Sequence, residues 1–238
     1  MNRYFETGSI SQQSSRELQT YMAQVYGWMT CGLILTSCVA WLTAHKPILT
    51  EFILNDRNTV LGLIAIQLFL TCLISNSITK LSGAATTGMF MLYSMITGLV
   101  MSHIFLVYSS LSIAIIFCVA ATMFGLMSLY GYTTNRDLSN FNNILLMALI
   151  GVLVASLINF LLKSSMLMWL ITYISTLLFV ALTAYDTQKI KILGNQVDIN
   201  DSENLRCISI LGAFTIYLDF INLFTVLLRI GGDRNKQL

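Results

Sequence analysis

Charge is scarce in this chain. Only 10% of its 238 residues are charged, against the roughly 25% that is usual in a soluble domain. Hydrophobic residues make up 56% of the chain and its mean hydropathy is +0.74. This composition excludes a soluble globular protein. A net charge of only +2 without a basic patch also argues against nucleic-acid binding.

Residues that build cofactor and metal sites are scarce as well. The five cysteines form no C-x-x-C pair, and the two histidines, His45 and His103, lie far apart in the sequence. No phosphate-binding loop or nucleophile triad is present, so the sequence predicts no cofactor and no enzyme. The single proline, Pro47, falls between apolar runs, so no span is expected to carry a proline kink.

What the chain has in abundance is long apolar runs. A membrane-spanning helix needs about 20 such residues. The sequence therefore predicts an all-α integral membrane protein with one membrane domain at 21–230, between a polar segment at 1–20 and a short basic tail at 231–238. We expect seven transmembrane helices, at about 21–43, 59–78, 84–107, 111–132, 143–162, 167–188 and 206–229.

Basic residues predict the orientation of these spans. Seven lie on the side of the N-terminus and three in the opposite loops, with three more at the C-terminal end, Arg229, Arg234 and Lys236. Without the tail, the excess of basic residues places the N-terminus in the cytoplasm. The basic tail then either lies outside, which we favour, or the last segment does not cross fully.

Small residues recur at a spacing of four along several spans. This spacing lets the backbones of two helices approach closely. We therefore expect close helix contacts at Ala84/Gly88, Ser94/Gly98, Ala121/Gly125 and Gly151/Ala155.

Two aspartates inside the last two apolar runs, Asp186 and Asp219, are the most informative residues. A carboxylate within a transmembrane helix costs roughly 2.5 to 3.5 kcal/mol even on the insertion scale that gives the lowest values. Such groups face a protein interior or a wet cavity and mark ion paths or proton relays. Steps of three and four residues connect each aspartate to polar neighbours, which predicts a polar stripe on each helix, formed by Thr183, Thr176, Thr215 and Asn222.

The two stripes are expected to face each other. Two adjacent carboxylates cannot both ionise cheaply, so the pair would share a proton and titrate as a unit. Loss of that proton, or its replacement by a cation, would push the helices apart. The deprotonated pair, Asp186 and Asp219, would also offer hard oxygen ligands to a weak Ca²⁺ transit site, completed by Asn222, Thr183, backbone carbonyls and water.

Two other interpretations stay open at this stage. Each acid could instead pair with a cation, since Lys189 follows Asp186 by three residues and Arg206 could reach an inner vestibule. Two aspartates on adjacent helices also suggest an intramembrane aspartyl protease. The Gly-x-Gly-Asp sequence which that chemistry requires is absent, because residues 216–219 read Ile-Tyr-Leu-Asp.

Each aspartate lies in a distinctive motif, Ala-Tyr-Asp-Thr-Gln at 184–188 and Tyr-Leu-Asp-Phe-Ile-Asn-Leu-Phe at 217–224. These two motifs resemble the paired signatures of the Bax inhibitor-1 family. The stretch Leu-Tyr-Gly-Tyr-Thr-Thr at 129–134, with Arg-Asp-Leu-Ser at 136–139, resembles the bacterial branch, as does Leu-Gly-Ala at 211–213. The resemblance covers nearly the whole chain.

The resemblance implies a central last helix surrounded by the other six and a pH-sensitive calcium leak, with Asp186 and Asp219 as the proton-sensing pair. In some members a cation of the second span latches the pair. Here Lys80 lies just beyond that span. The bacterial features imply an inner-membrane location. The resemblance also implies an alternative, a non-transporting regulator that binds a membrane protease or a stress-response partner.

Overall fold

The computed structural model describes residues 2–46, 57–75, 82–196 and 201–233. These ranges are almost entirely helical and contain no β-strand. The principal helices are α1 (Asn2–Ala44), α2 (Arg57–Ser75), α3 (Gly83–Met101), α4 (Ser110–Thr133), α5 (Asn142–Leu162), α6 (Ser165–Gly194) and α7 (Ser202–Gly231). A short helix, His103–Val107, follows α3, and a 3₁₀ turn, Ser139–Phe141, precedes α5.

The predicted fold class, an all-α membrane protein with seven helices, is confirmed. Within the described ranges, six helices are long and apolar enough to cross a membrane, and α2 adds a shorter apolar stretch, Leu61–Ser75. Helices suit these runs because an α-helix satisfies its own backbone hydrogen bonds in lipid. The end of the predicted second span, 76–78, lies outside the described residues, as do Lys80 and positions 234–238 of the tail.

Polar side chains begin four of these helices. The hydroxyls of Ser82, Ser109 and Ser164 accept hydrogen bonds from backbone N–H groups in the first turns of α3, α4 and α6, at 3.3, 3.3 and 3.4 Å. The carboxylate of Asp201 accepts from the N–H of Asn204 at 3.1 Å and caps α7. Capping satisfies N–H groups that have no partner within the helix.

Packing divides the chain into two compact units. The first lies within Met1–Leu106 and Lys191–Tyr217, and the second within Val107–Ile190 and Leu218–Leu238. The last helix therefore contributes its first half to one unit and its second half to the other. It is also the most buried of the six long helices, with 56% of its most apolar stretch buried, against none in α5.

The core of the first unit is aromatic. The rings of Phe90 and Tyr93 on α3 meet Phe214 and Tyr217 on α7 edge to face, with centroids 5.0 to 6.2 Å apart. The buried hydroxyls of Tyr217 and Thr36 are 2.7 Å apart and hydrogen-bonded. Edge-to-face pairs add roughly 0.5–1.5 kcal/mol each beyond the burial of their area.

Close helix contacts occur at only one of the four predicted glycines. A Cβ atom added at Gly98 would lie 2.7 Å from the carbonyl oxygen of Thr36, so α1 and α3 approach closely there. Gly88, Gly125 and Gly151 have no described neighbour within 4 Å of such a Cβ, so the prediction was wrong at these positions. Spacing identifies a flat helix face but does not say which faces meet.

Candidate functional site

The two aspartates lie on different helices of the second unit. Asp186 is on α6 and Asp219 is on the second half of α7. Both helices are regular through these positions, so the Cα–Cβ bond of each aspartate has a fixed direction. The last helix is regular from Ser202 onwards, so no irregular stretch precedes Asp219 within it.

The side chains of Asp186 and Asp219 are hydrogen-bonded to each other. Asp219 is only 5% exposed, whereas Asp186 is partly exposed. An ionised carboxylate can only accept hydrogen bonds, so a bond between two carboxyl groups requires a proton on one of them. The contact therefore requires that the pair carry at least one proton.

One oxygen of this pair is a buried hydrogen-bond acceptor without a described partner. The Oδ2 atom of Asp219 is buried and has no hydrogen-bond partner among the described residues. A buried polar atom without a partner costs roughly 1–3 kcal/mol. Sequence reasoning did not locate this atom, because no spacing rule indicates which oxygen of a carboxylate is left over.

The threonines of the predicted polar stripes bond to their own helices. The hydroxyl of Thr183 donates to the carbonyl of Phe179 at 2.8 Å. Thr176 and Thr215 likewise donate to the carbonyls four residues earlier, at 2.9 and 3.0 Å. Their hydrogens are therefore used within the helix, and only their oxygens remain available as acceptors. The side chain of Asn222 is exposed, so the structure does not place it in the buried pair.

The predicted counter-charges differ in their surroundings. Lys189 is exposed, and its positive charge acts on Asp186 through space. Arg206 is engaged within the first unit, where its Nε donates to the hydroxyl of Thr87 at 3.0 Å. Its guanidinium also lies 5.7 Å from the ring centre of Trp28. Lys80 is outside the described residues.

Three consecutive residues of α6 hold three different parts of the second unit. Asp186 bonds to α7, and the hydroxyl of Thr187 lies 3.2 Å from that of Ser128 on α4. The amide of Gln188 accepts from the N–H of Leu138 and donates to the carbonyl of Arg136, both at 2.8 Å. Gln188 thereby fixes the segment between α4 and α5.

We expect Gln188→Leu to loosen this segment. The substitution removes both hydrogen bonds and should lower the free energy of unfolding by ~1–2 kcal/mol. Amide hydrogen exchange at Leu138 should become faster, as mass spectrometry of the peptide containing it can show. The control is Gln196→Leu, because the side chain of Gln196 is exposed on a turn. Equal exchange in the two variants would contradict the role of Gln188.

The pair offers two carboxyl groups as potential cation ligands. Among the described residues, no group of three or more His, Cys, Asp or Glu side chains could hold a metal ion. Ca²⁺ takes six to eight oxygen ligands in a tight site. The two carboxyl groups alone supply fewer oxygen ligands than such a site requires.

Comparison with known proteins covers nearly the whole chain. Residues 18–236 match the family model described as "Inhibitor of apoptosis-promoting Bax1". The inner membrane protein YbhL of Escherichia coli K12 is 58% identical over 234 residues, which are 98% of this chain and 100% of the relative. Uncharacterised proteins of Rickettsia prowazekii (RP147) and Borreliella burgdorferi are 37% and 36% identical, covering 96% and 91% of this chain and 95% and 93% of theirs.

Proposed function

Because this chain belongs to the Bax inhibitor-1 family, we propose that it is a pH-sensitive cation leak, mainly for Ca²⁺, gated by Asp186 and Asp219. We place it in a bacterial inner membrane, which the name of the Escherichia coli relative supports, with its N-terminus in the cytoplasm.

The hydrogen bond between the two carboxyl groups is the observation that carries this proposal. One shared proton joins α6 to the second half of α7. Without it, two negative charges at hydrogen-bonding distance repel each other in a region where little water screens them. The proton therefore acts as a removable link between two helices.

A cation can take the place of that proton. The unpartnered Oδ2 of Asp219 is a hard oxygen ligand, the type that Ca²⁺ prefers. Few ligands mean weak binding, and weak binding is needed where an ion must leave as readily as it enters. In this proposal the same two carboxyl groups respond to pH and contact the ion.

Calcium flux into dye-loaded proteoliposomes tests the proposal. We expect the wild-type flux to change several-fold between pH 6 and pH 8, and the flux of Asp219→Asn and Asp186→Asn to lose this response. An asparagine can still donate a hydrogen bond to the remaining carboxylate but cannot titrate in this range. Flux and pH response unchanged in both variants would refute the proposal.

The matched control is Asp137→Asn, which removes a carboxylate from the same unit. Asp137 is fully exposed and accepts a hydrogen bond from the N–H of Ser139 at 2.9 Å. Hydrogen bonds from Ser139 hold the pKa of Asp137 below its usual value, so this group stays ionised from pH 6 to pH 8. Its removal should leave the pH response intact.

Absence of flux at any pH, from protein shown to be folded, would instead favour a non-transporting regulator that binds a membrane protease or a stress-response partner. The proposal also includes the absence of enzymatic activity. A proton shared by two aspartates is found in aspartic proteases, but the Gly-x-Gly-Asp sequence is missing at 216–219. Aspartate-dependent cleavage of a membrane peptide would contradict this part of the proposal.

A further inference from the structure

A second site of a different kind lies in the second unit. A cavity of about 460 Å³ opens where the end of α5, the start of α6 and the end of α7 meet. Its lining residues are Ser156, Asn159, Phe160, Met168, Ile171 and Arg229.

The polar groups of this cavity are mainly hydrogen-bond donors. No acidic residue is among the described residues that line it, and none of them forms a hydrogen bond or ion pair with the Arg229 guanidinium. The side-chain oxygen of Asn159 already accepts from the N–H of Ser164 at 3.1 Å, so its NH₂ group is left to donate. A planar guanidinium with five donors matches the oxygens of a phosphate group.

Neighbouring groups add positive potential. Lys163 is exposed and ends α5 in a left-handed conformation (φ 52°). The first turn of α6 begins two residues later, and a helix N-terminus carries partial positive charge. These features reinforce the charge of Arg229 but would not define a site without the cavity.

The position of the cavity along its helices favours the boundary between membrane and water. Three apolar helices end or begin around it, at Leu162, Ser165 and Gly231. Leu161 and Met166 nearby are 80% and 84% exposed, as expected for side chains that face lipid. Phospholipid phosphates lie at this boundary, just outside the hydrocarbon.

We propose that this cavity binds one anionic phospholipid, with the phosphate on Arg229 and Asn159. The apolar wall of Phe160, Met168 and Ile171 suits the glycerol and the first acyl carbons, which a free phosphate ion lacks. Because no lining carboxylate could pair with a headgroup amine, a headgroup with net negative charge is favoured over a zwitterionic one. This site is separate in its residues from the aspartate pair.

Native mass spectrometry of the full-length protein, with phosphatidylglycerol or phosphatidylcholine added to the detergent, tests this proposal. We expect one retained phosphatidylglycerol molecule in the wild type and about tenfold weaker retention in Arg229→Gln, since a charge-assisted bond is lost. Arg229→Lys should lie between them. Arg136→Gln removes the same charge from an exposed loop of the same unit and should bind like the wild type.

A second variant leaves every charge in place. Met168→Trp should reduce retention by filling the cavity, with circular dichroism to verify its fold. Equal retention by Arg229→Gln, Arg136→Gln and the wild type would overturn the proposal, as would equal retention of the two lipids. Displacement of the lipid by millimolar inorganic phosphate would show a site for soluble anions instead.

Discussion

Gly131→Val is expected to destabilise the protein by more than ordinary overpacking of a core does. A Cβ atom at Gly131 would clash with the carbonyl oxygen of Ala184 and lie 2.9 and 3.0 Å from its carbonyl carbon and Cα. Ordinary overpacking costs ~1–3 kcal/mol because flexible side chains move aside. Here the obstacle is the backbone of α6, so either α4 or α6 must shift.

Thermal unfolding in detergent, followed by the loss of the monodisperse peak in size-exclusion chromatography, measures this effect. The control is Gly125→Val, on the same helix, where a Cβ meets no described atom within 4 Å. It should unfold close to the wild-type temperature, with Gly131→Ala between the two. Similar unfolding temperatures for the two valine variants would contradict the close approach of α4 to α6.

Asp219→Asn is expected to remove most of the pH dependence of stability. The proton that we propose the folded pair shares is one that the unfolded chain releases above about pH 4. With this proton the folded state binds more protons than the unfolded state, so stability is expected to fall as pH rises. The slope reaches up to ~1.4 kcal/mol per pH unit while the pair keeps its proton.

Unfolding temperatures of the wild type and Asp219→Asn from pH 5 to pH 8 test this expectation. The wild-type curve should fall towards pH 8 and the Asp219→Asn curve should stay nearly level, whereas Asp137→Asn should follow the wild type. Parallel curves for the wild type and Asp219→Asn would show that the pair holds no titrating proton in this range. This measurement does not depend on transport, so it tests the shared proton even if no flux is found.

Sequence reasoning located the helices well because a membrane leaves few alternatives. The predicted span 111–132 is one residue shorter than α4 at each end. The predicted span 143–162 begins one residue after α5 begins and ends at the same residue. Larger differences occur where a helix continues past its apolar run, as α6 does from 188 to Gly194. Water can satisfy the polar side chains there, so hydropathy gives no signal for the end of the helix.

The site was predicted only in part. Both aspartates were identified because they lie within apolar runs, and the structure brings their carboxyl groups together. Spacing did not predict that Asn222 would be exposed, because a residue three positions from Asp219 can still lie at the edge of the buried face. Gly131 and Gln188 were missed as well. Their importance depends on which neighbour each one meets, and periodicity within one helix cannot reveal that.

The side chains of residues 186–188 connect the carboxyl pair to distant parts of the second unit. Consecutive residues of a helix point about 100° apart, so these three side chains reach α7, α4 and the segment around Leu138 in different directions. A turn of α6 about its own axis would strain all three connections together. A fluorophore or spin label on the surface near residue 138 would then register the protonation of a carboxyl pair that it never touches.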